Sequence, residues 1–85
     1  MNSFHTSGVC AKKIEFTIEN DLLTEVKFHS GCPGNLMGIE RLVEGLHIDE
    51  VITRLKGIGC GSKSTSCPDQ LALALEGYKT TTAVD

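Results

Sequence analysis

The chain has no tryptophan, one tyrosine and three phenylalanines. So few aromatic rings leave no platform on which successive bases could stack, the device that sequence-tolerant single-strand binders depend on. Positive charge is also thin: eight Lys and Arg stand against eleven Asp and Glu, giving a net charge of −3 and a pI near 5.5. No basic stripe is present to neutralise phosphates, so DNA and RNA are excluded as expected partners. Long apolar runs are missing as well, whereas a membrane-spanning helix needs roughly 20 predominantly apolar residues. Residues Met1 to Gly8 lack both the basic start and the apolar block of a secretory signal. A cytoplasmic location is therefore expected. In that compartment disulfides are rare, and grouped cysteines more often bind metal or carry redox chemistry.

Proline is equally scarce, and both prolines of the chain directly follow a cysteine, in Ser30-Gly31-Cys32-Pro33-Gly34 and Thr65-Ser66-Cys67-Pro68-Asp69. Proline fits the first turn of a helix, where its missing N–H would have had no partner. Cys32 and Cys67 thus read as helix-start residues, where unpaired N–H groups and the macrodipole favour a thiolate. Cys10 and Cys60 complete a set of four cysteines in 85 residues. A chain of this size buries only about 60–65% of the surface its unfolded form exposes, so a covalent or metal staple would be useful. The apolar fraction of 40% and mean hydropathy of −0.02 are those of an ordinary globular domain.

Over Lys12 to Glu19, Ile14, Phe16 and Ile18 alternate with charged and polar residues, the period of a half-buried strand. Asn20-Asp21 supplies a turn, and Thr24 to His29 resumes the alternation, which predicts a hairpin with one apolar face. Phe4 to Thr6 adds a short edge strand. The period then changes: Leu36, Ile39, Leu42, Val43 and Leu46 form a helical stripe that Gly45 stops. A second helix is expected from an Asp49 cap, with Val51, Ile52 and Leu55 inward and Gly57 at its end. A third opens at Pro68-Asp69-Gln70 and buries Leu71, Leu75 and Tyr78. The predicted fold class is α+β: a two- or three-stranded antiparallel sheet followed by three helices packed on one face. Residues 1–78 form one domain and 79–85 a flexible tail.

The pentapeptide Thr65-Ser66-Cys67-Pro68-Asp69 resembles the motif that names the TSCPD domain family, and the likeness runs over nearly the whole chain. That family includes small stand-alone proteins and domains attached to the C-terminal part of ribonucleotide reductases, chiefly the cobalamin-dependent type. The resemblance implies a link to ribonucleotide reduction and DNA synthesis, with a reductase or another redox protein as partner. The chain is too short to house a radical-generating barrel and nucleotide sites, so no catalytic activity of its own is expected. The chain is also similar to the U-type iron–sulfur scaffolds, in which cysteines precede a hairpin, sit in a turn before a helix, and start a late helix. Cys10, Cys32 and Cys67 match those positions. Lys12 stands where the scaffold has an aspartate, Ser66 where it has a histidine, and Gly59 to Ser64 where it has its chaperone-recognition segment. Cys60 would then supply the fourth thiolate.

Cys10, Cys32, Cys60 and Cys67 are therefore the candidate metal ligands. Four thiolates suit structural zinc, which takes tetrahedral sulfur or imidazole ligands, and they equally suit an iron–sulfur cluster. The closed set, without the scaffold's exchangeable aspartate, favours zinc. None of the pairs has the short C-x2-C spacing of a zinc ribbon, so spacing leaves reactive thiols and inert packing cysteines open. The alternatives in function are an iron–sulfur assembly scaffold and a thiol or sulfur carrier. The loop Gly57 to Thr65 is glycine-rich, but Ser62 interrupts the Gly-Lys step and a helix precedes it, so it is not a phosphate loop. His29 and His47 are expected to be exposed and idle. His5 is a spare ligand near Cys10, and Asp69 serves the electrostatics of its helix start.

Overall fold

The computed structural model describes residues 2–6, 12–29, 33–59 and 65–82. They form three strands and then three helices: β1 (Asn2–His5), β2 (Lys13–Glu19), β3 (Leu22–His29), α1 (Pro33–Val43), α2 (Ile48–Leu55) and α3 (Cys67–Thr82). The strands make one antiparallel sheet in the order β1-β2-β3. This is the α+β architecture expected from the periodicities, with the third strand present. No helix among the described residues is long and apolar enough to cross a membrane.

The hairpin owes its shape to two residues. Asn20 (φ 54°) and Asp21 (φ 65°) both occupy the left-handed region, the pattern of a type I′ turn whose twist matches that of the flanking strands. Asn and Asp tolerate this region better than other side chains. Behind the turn, the register shifts between Thr17 and Ile18. The shift explains why β3 begins at Leu22, two residues before the alternation that Thr24 to His29 predicts. Leu23 and Val26 are both buried although they are three positions apart, which strict alternation forbids and a bulge allows.

The inward face of the sheet carries Ile14, Phe16, Leu23, Val26 and Phe28, and the helices cover it with Leu36, Val43, Val51, Ile52, Leu71 and Leu75. The expected α1 stripe needs one correction, because Leu42 is 78% exposed. At 3.6 residues per turn, Leu42 lies about 120° around the helix from Leu36, while the i+3 and i+7 positions, Ile39 and Val43, return to the buried face.

α1 runs antiparallel to β3 and closes its outer edge. Glu40 Oε2 accepts from the Phe28 N–H (2.8 Å) and Glu44 Oε2 from the Val26 N–H (3.2 Å). The linker continues the pairing: Leu23 N–H donates to Leu46 O (2.8 Å), Gly45 N–H to Leu23 O (2.6 Å), and Ile48 N–H to Asp21 O (2.9 Å). Gly45 has a φ of 91° at this bend, a conformation glycine adopts without steric cost. The start of α2 is thereby fixed to the hairpin turn. Its cap is His47, not Asp49: the His47 Nδ1 accepts from the Asp49 N–H (3.1 Å). Asp49 sits in the first turn and pairs instead with Lys79, whose ammonium holds the Asp49 carboxyl below its ordinary range.

α3 lies antiparallel to α2. Lys79 meets Asp49 at the start of α2, Glu76 meets Lys56 (2.7 Å) just past its end, and Asp69 meets Gly57. α3 extends to Thr82, so the segment expected as a tail from Lys79 is helical for four more residues. The ion pair with Asp49 gives that last turn a tertiary anchor.

Substitutions at two positions test these features. At the turn, the unfolding free energy from urea titration should rank Asp21→Gly at or above the native chain and Asp21→Val below it by about 1–2 kcal/mol, since a β-branched residue is strained at positive φ. Equal stability of the Val variant would refute the turn assignment. At the edge, Glu40→Ala should lose about 1 kcal/mol in urea unfolding, because the Phe28 N–H is left with no protein acceptor.

Candidate functional site

The start of α3 holds the most elaborate polar arrangement of the described chain. Ser66 is the residue before the helix: its carbonyl accepts from the Gln70 N–H (2.8 Å) and its Oγ from the Asp69 N–H (3.2 Å). A serine followed three residues later by an acid is the capping-box spacing. The acid here does not reach back to the cap. Asp69 Oδ1 accepts from the Gly57 N–H (2.7 Å) and Oδ2 from Thr65 Oγ1 (2.6 Å). Ser66 Oγ in turn donates to Ile58 O (2.7 Å), and Gln70 Nε2 donates to Thr65 Oγ1 (2.8 Å). Ser66, Asp69 and Gln70 are all buried. A buried carboxylate is costly unless its oxygens are satisfied, and here both are. The Thr65 hydroxyl, then the Gly57 N–H, hold the Asp69 carboxyl below its ordinary range; burial opposes them and Lys56 assists.

Each residue of Thr65-Ser66-Cys67-Pro68-Asp69 except the cysteine thus has a local structural duty. Thr65 and Asp69 tie the chain back to Gly57, Ser66 caps, and Pro68 occupies a first-turn position whose N–H is not needed. The cap bonds leave the Cys67 thiol out. Cys67 is half-buried against the core and forms no disulfide with a described residue.

Cys10, Cys32 and Cys60 lie outside the described residues, in segments 7–11, 30–32 and 60–64. Their flanks are described. Thr6 N–H donates to Lys12 O (3.2 Å) and Lys12 N–H to His29 O (2.8 Å), so β1, β2 and β3 have their ends side by side where the first two segments depart. α1 begins at this end, because it runs antiparallel to β3. α2 starts at the opposite end, on the hairpin turn, and α3 is antiparallel to α2. The start of α3 therefore lies beside the end of α2, away from the α2 start on the hairpin turn. Among the described residues, no three His, Cys, Asp or Glu side chains group closely enough to hold a metal ion.

His29 and His47 are structural. His29, expected to be idle, pairs through Nε2 with Glu15 Oε1 (2.5 Å). That contact, reinforced by Lys13 and Lys27, keeps the Glu15 carboxyl below its ordinary range. His47 is the α2 cap. His5 is exposed and opposite Lys13, in a row with His29 on the sheet face turned away from the helices. A groove of ≈ 300 Å³ between β1 and α3, lined chiefly by Phe4, Phe16, Ala74 and Tyr78, has no carboxylate, imidazole or thiol in its wall.

The roles of Asp69, Glu40, Glu44 and His47 were not anticipated from the sequence. The Ser66-x-x-Asp69 spacing would have flagged the cap, but no local signal points from Asp69 to Gly57.

Asp69→Asn should destabilise the domain by about 2 kcal/mol at pH 7, because one of two charge-assisted bonds loses its acceptor. The sign of the pH dependence follows from the lowered carboxyl. Its stabilisation is complete above the unfolded value of about 3.9 and is lost as pH falls through the folded value. Urea unfolding at several pH values should show the native-to-variant gap closing below about pH 4. A gap that is absent at pH 7, or constant down to pH 3, would contradict the assigned bonds.

The family model described as TSCPD domain matches residues 2–79. No curated protein and no solved structure matches the chain. The expected similarity to U-type iron–sulfur scaffolds is not supported by any of these comparisons.

Proposed function

The chain belongs to the TSCPD domain family, and on that premise we propose that it is a small metal-binding module in which Cys10, Cys32, Cys60 and Cys67 hold one zinc ion. Its role is structural or regulatory, in association with a ribonucleotide reductase or another redox protein. One observation carries this reading: Cys67, within the motif of the matched family, stands at the start of α3, half-buried and in no disulfide with a described residue. A second supports it. Within the motif, Thr65, Ser66 and Asp69 spend their side chains on the helix start and leave the thiol out.

The donor set fits the ion. Zinc in structural sites is closed by four ligands, thiolates among the commonest. Four thiolates give the site a formal charge of −2, which the positive end of the 16-residue helix α3 would help to offset. Bound metal would add folding free energy to a domain with a small core. The reductase link comes from the family resemblance; the module would dock on such an enzyme or exchange thiols with it.

Elemental analysis of natively purified protein, with thiols counted before and after chelation, tests the reading. About one zinc per chain is expected, with all four cysteines slow to alkylate until a chelator is added and a melting temperature that falls on chelation. Replacing any one of the four by serine should reduce the metal content. Iron with inorganic sulfide in place of zinc would move the assignment to a cluster scaffold. A metal-free protein in which only Cys67 or Cys32 alkylates rapidly would replace the reading with a thiol carrier.

A further inference from the structure

We propose that the outer edge of β1 is a self-association surface, on which a second copy of this chain adds its own β1 in antiparallel pairing. The occupant is a second copy because the edge is complementary to itself in hydrogen bonding, in charge and in its apolar side chain. The inference stands apart from the four-thiolate reading.

The hydrogen-bond phase of the sheet decides which groups face that edge. On β3, the N–H groups of Val26 and Phe28 turn outward to Glu44 and Glu40. In an antiparallel ladder each residue turns its N–H and C=O to the same side, and successive residues alternate sides. Lys27 therefore bonds to its partner Glu15 on β2, while Ile14 and Phe16 turn the other way, to Phe4 and Asn2 of β1. The bond from Thr6 N–H to Lys12 O (3.2 Å) has the same phase. Ser3 and His5 are left with both backbone groups directed away from β2, and both residues are exposed.

Pairing about a two-fold axis at Phe4 sets Ser3 opposite His5 of the second copy, and His5 opposite its Ser3. Each strand then uses all its outward groups in four reciprocal bonds, as an isologous contact requires. The charges agree with this register. His5 ends a cross-strand row with Lys13 and His29. The axis continues that row into Ser3 and Glu15 of the second copy, so a carboxylate comes into line with Lys13 and His5 across a small serine. On the inner face, the two Phe4 residues become a non-hydrogen-bonded pair with Cα atoms about 4.5 Å apart, close enough for their rings to pack.

The groove of ≈ 300 Å³ beside Phe4 receives the incoming ring. Ser3 is in its wall, so it reaches the edge, and Gly77 of α3 lines it as well. A Cβ at Gly77 would meet nothing within 4 Å. Glycine is a poor residue for a helix interior, and no described neighbour requires it there. The space it leaves is used by the second copy. Four residues span only about 13 Å, so the contact is smaller than a standard interface and the dimer separates on dilution.

Sedimentation equilibrium under reducing conditions, from micromolar to millimolar protein, tests the proposal. The mass should rise from 9.1 kDa towards twice that value, and amide exchange at Ser3 and His5 should slow over the same range. Ser3→Pro and His5→Pro each remove an outward N–H and none directed at β2, so both should fold and keep the mass of one chain. Gly77→Leu should fold and lose the dimer by filling the groove. A native chain that keeps the mass of one chain at millimolar concentration overturns the proposal. Undiminished association of any folded variant overturns it too, since the contact then lies elsewhere. Should one variant fail to fold, the other two decide.

Discussion

A buried carboxylate with both oxygens occupied joins the end of α2 to the start of α3, and most of the helical layer is arranged by that join. Asp69 takes one N–H from Gly57 and one hydroxyl from Thr65. Without it, the last turn of α2 and the first turn of α3 would each present unsatisfied groups in a partly dry setting. With it, α2 and α3 are held antiparallel, and Leu71, Leu75 and Val51 are completely buried in the core. Surface pairs such as Lys56–Glu76 and Lys79–Asp49 extend the same alignment, although exposed ion pairs contribute only about 0–1 kcal/mol each. The buried join sets the direction and the outer pairs follow it.

The sheet solves a different problem, its two free edges. The edge of β3 is covered by carboxylates from α1 and by the backbone of the α1–α2 linker. The edge of β1 is only four residues long, a length that limits indiscriminate pairing between molecules. Covering β3 has a second effect. Because Ile48 and Leu46 bond to Asp21 and Leu23, the hairpin turn becomes the fixed point from which α2 departs, and the orientation of both later helices follows.

What the sequence made legible was whatever depends on a local period or a local residue preference. Ile14, Phe16 and Ile18 announced β2, Asn20-Asp21 its turn, and Leu71 with Leu75 the buried side of α3. The errors fall where a tertiary contact overrides the local pattern. A bulge lets Leu23 join Val26 on one face, which no alternation rule permits. Leu42 looked like part of a stripe because an i+6 spacing was admitted, and helical geometry sends it to solvent. Lys79 belongs to a Thr-rich stretch with no apolar period, yet Asp49 on another helix holds it. At the candidate site, the helix start at Cys67 was readable from the Cys-Pro step. The reach of Asp69 to Gly57 was not, since it joins residues 12 apart across a loop.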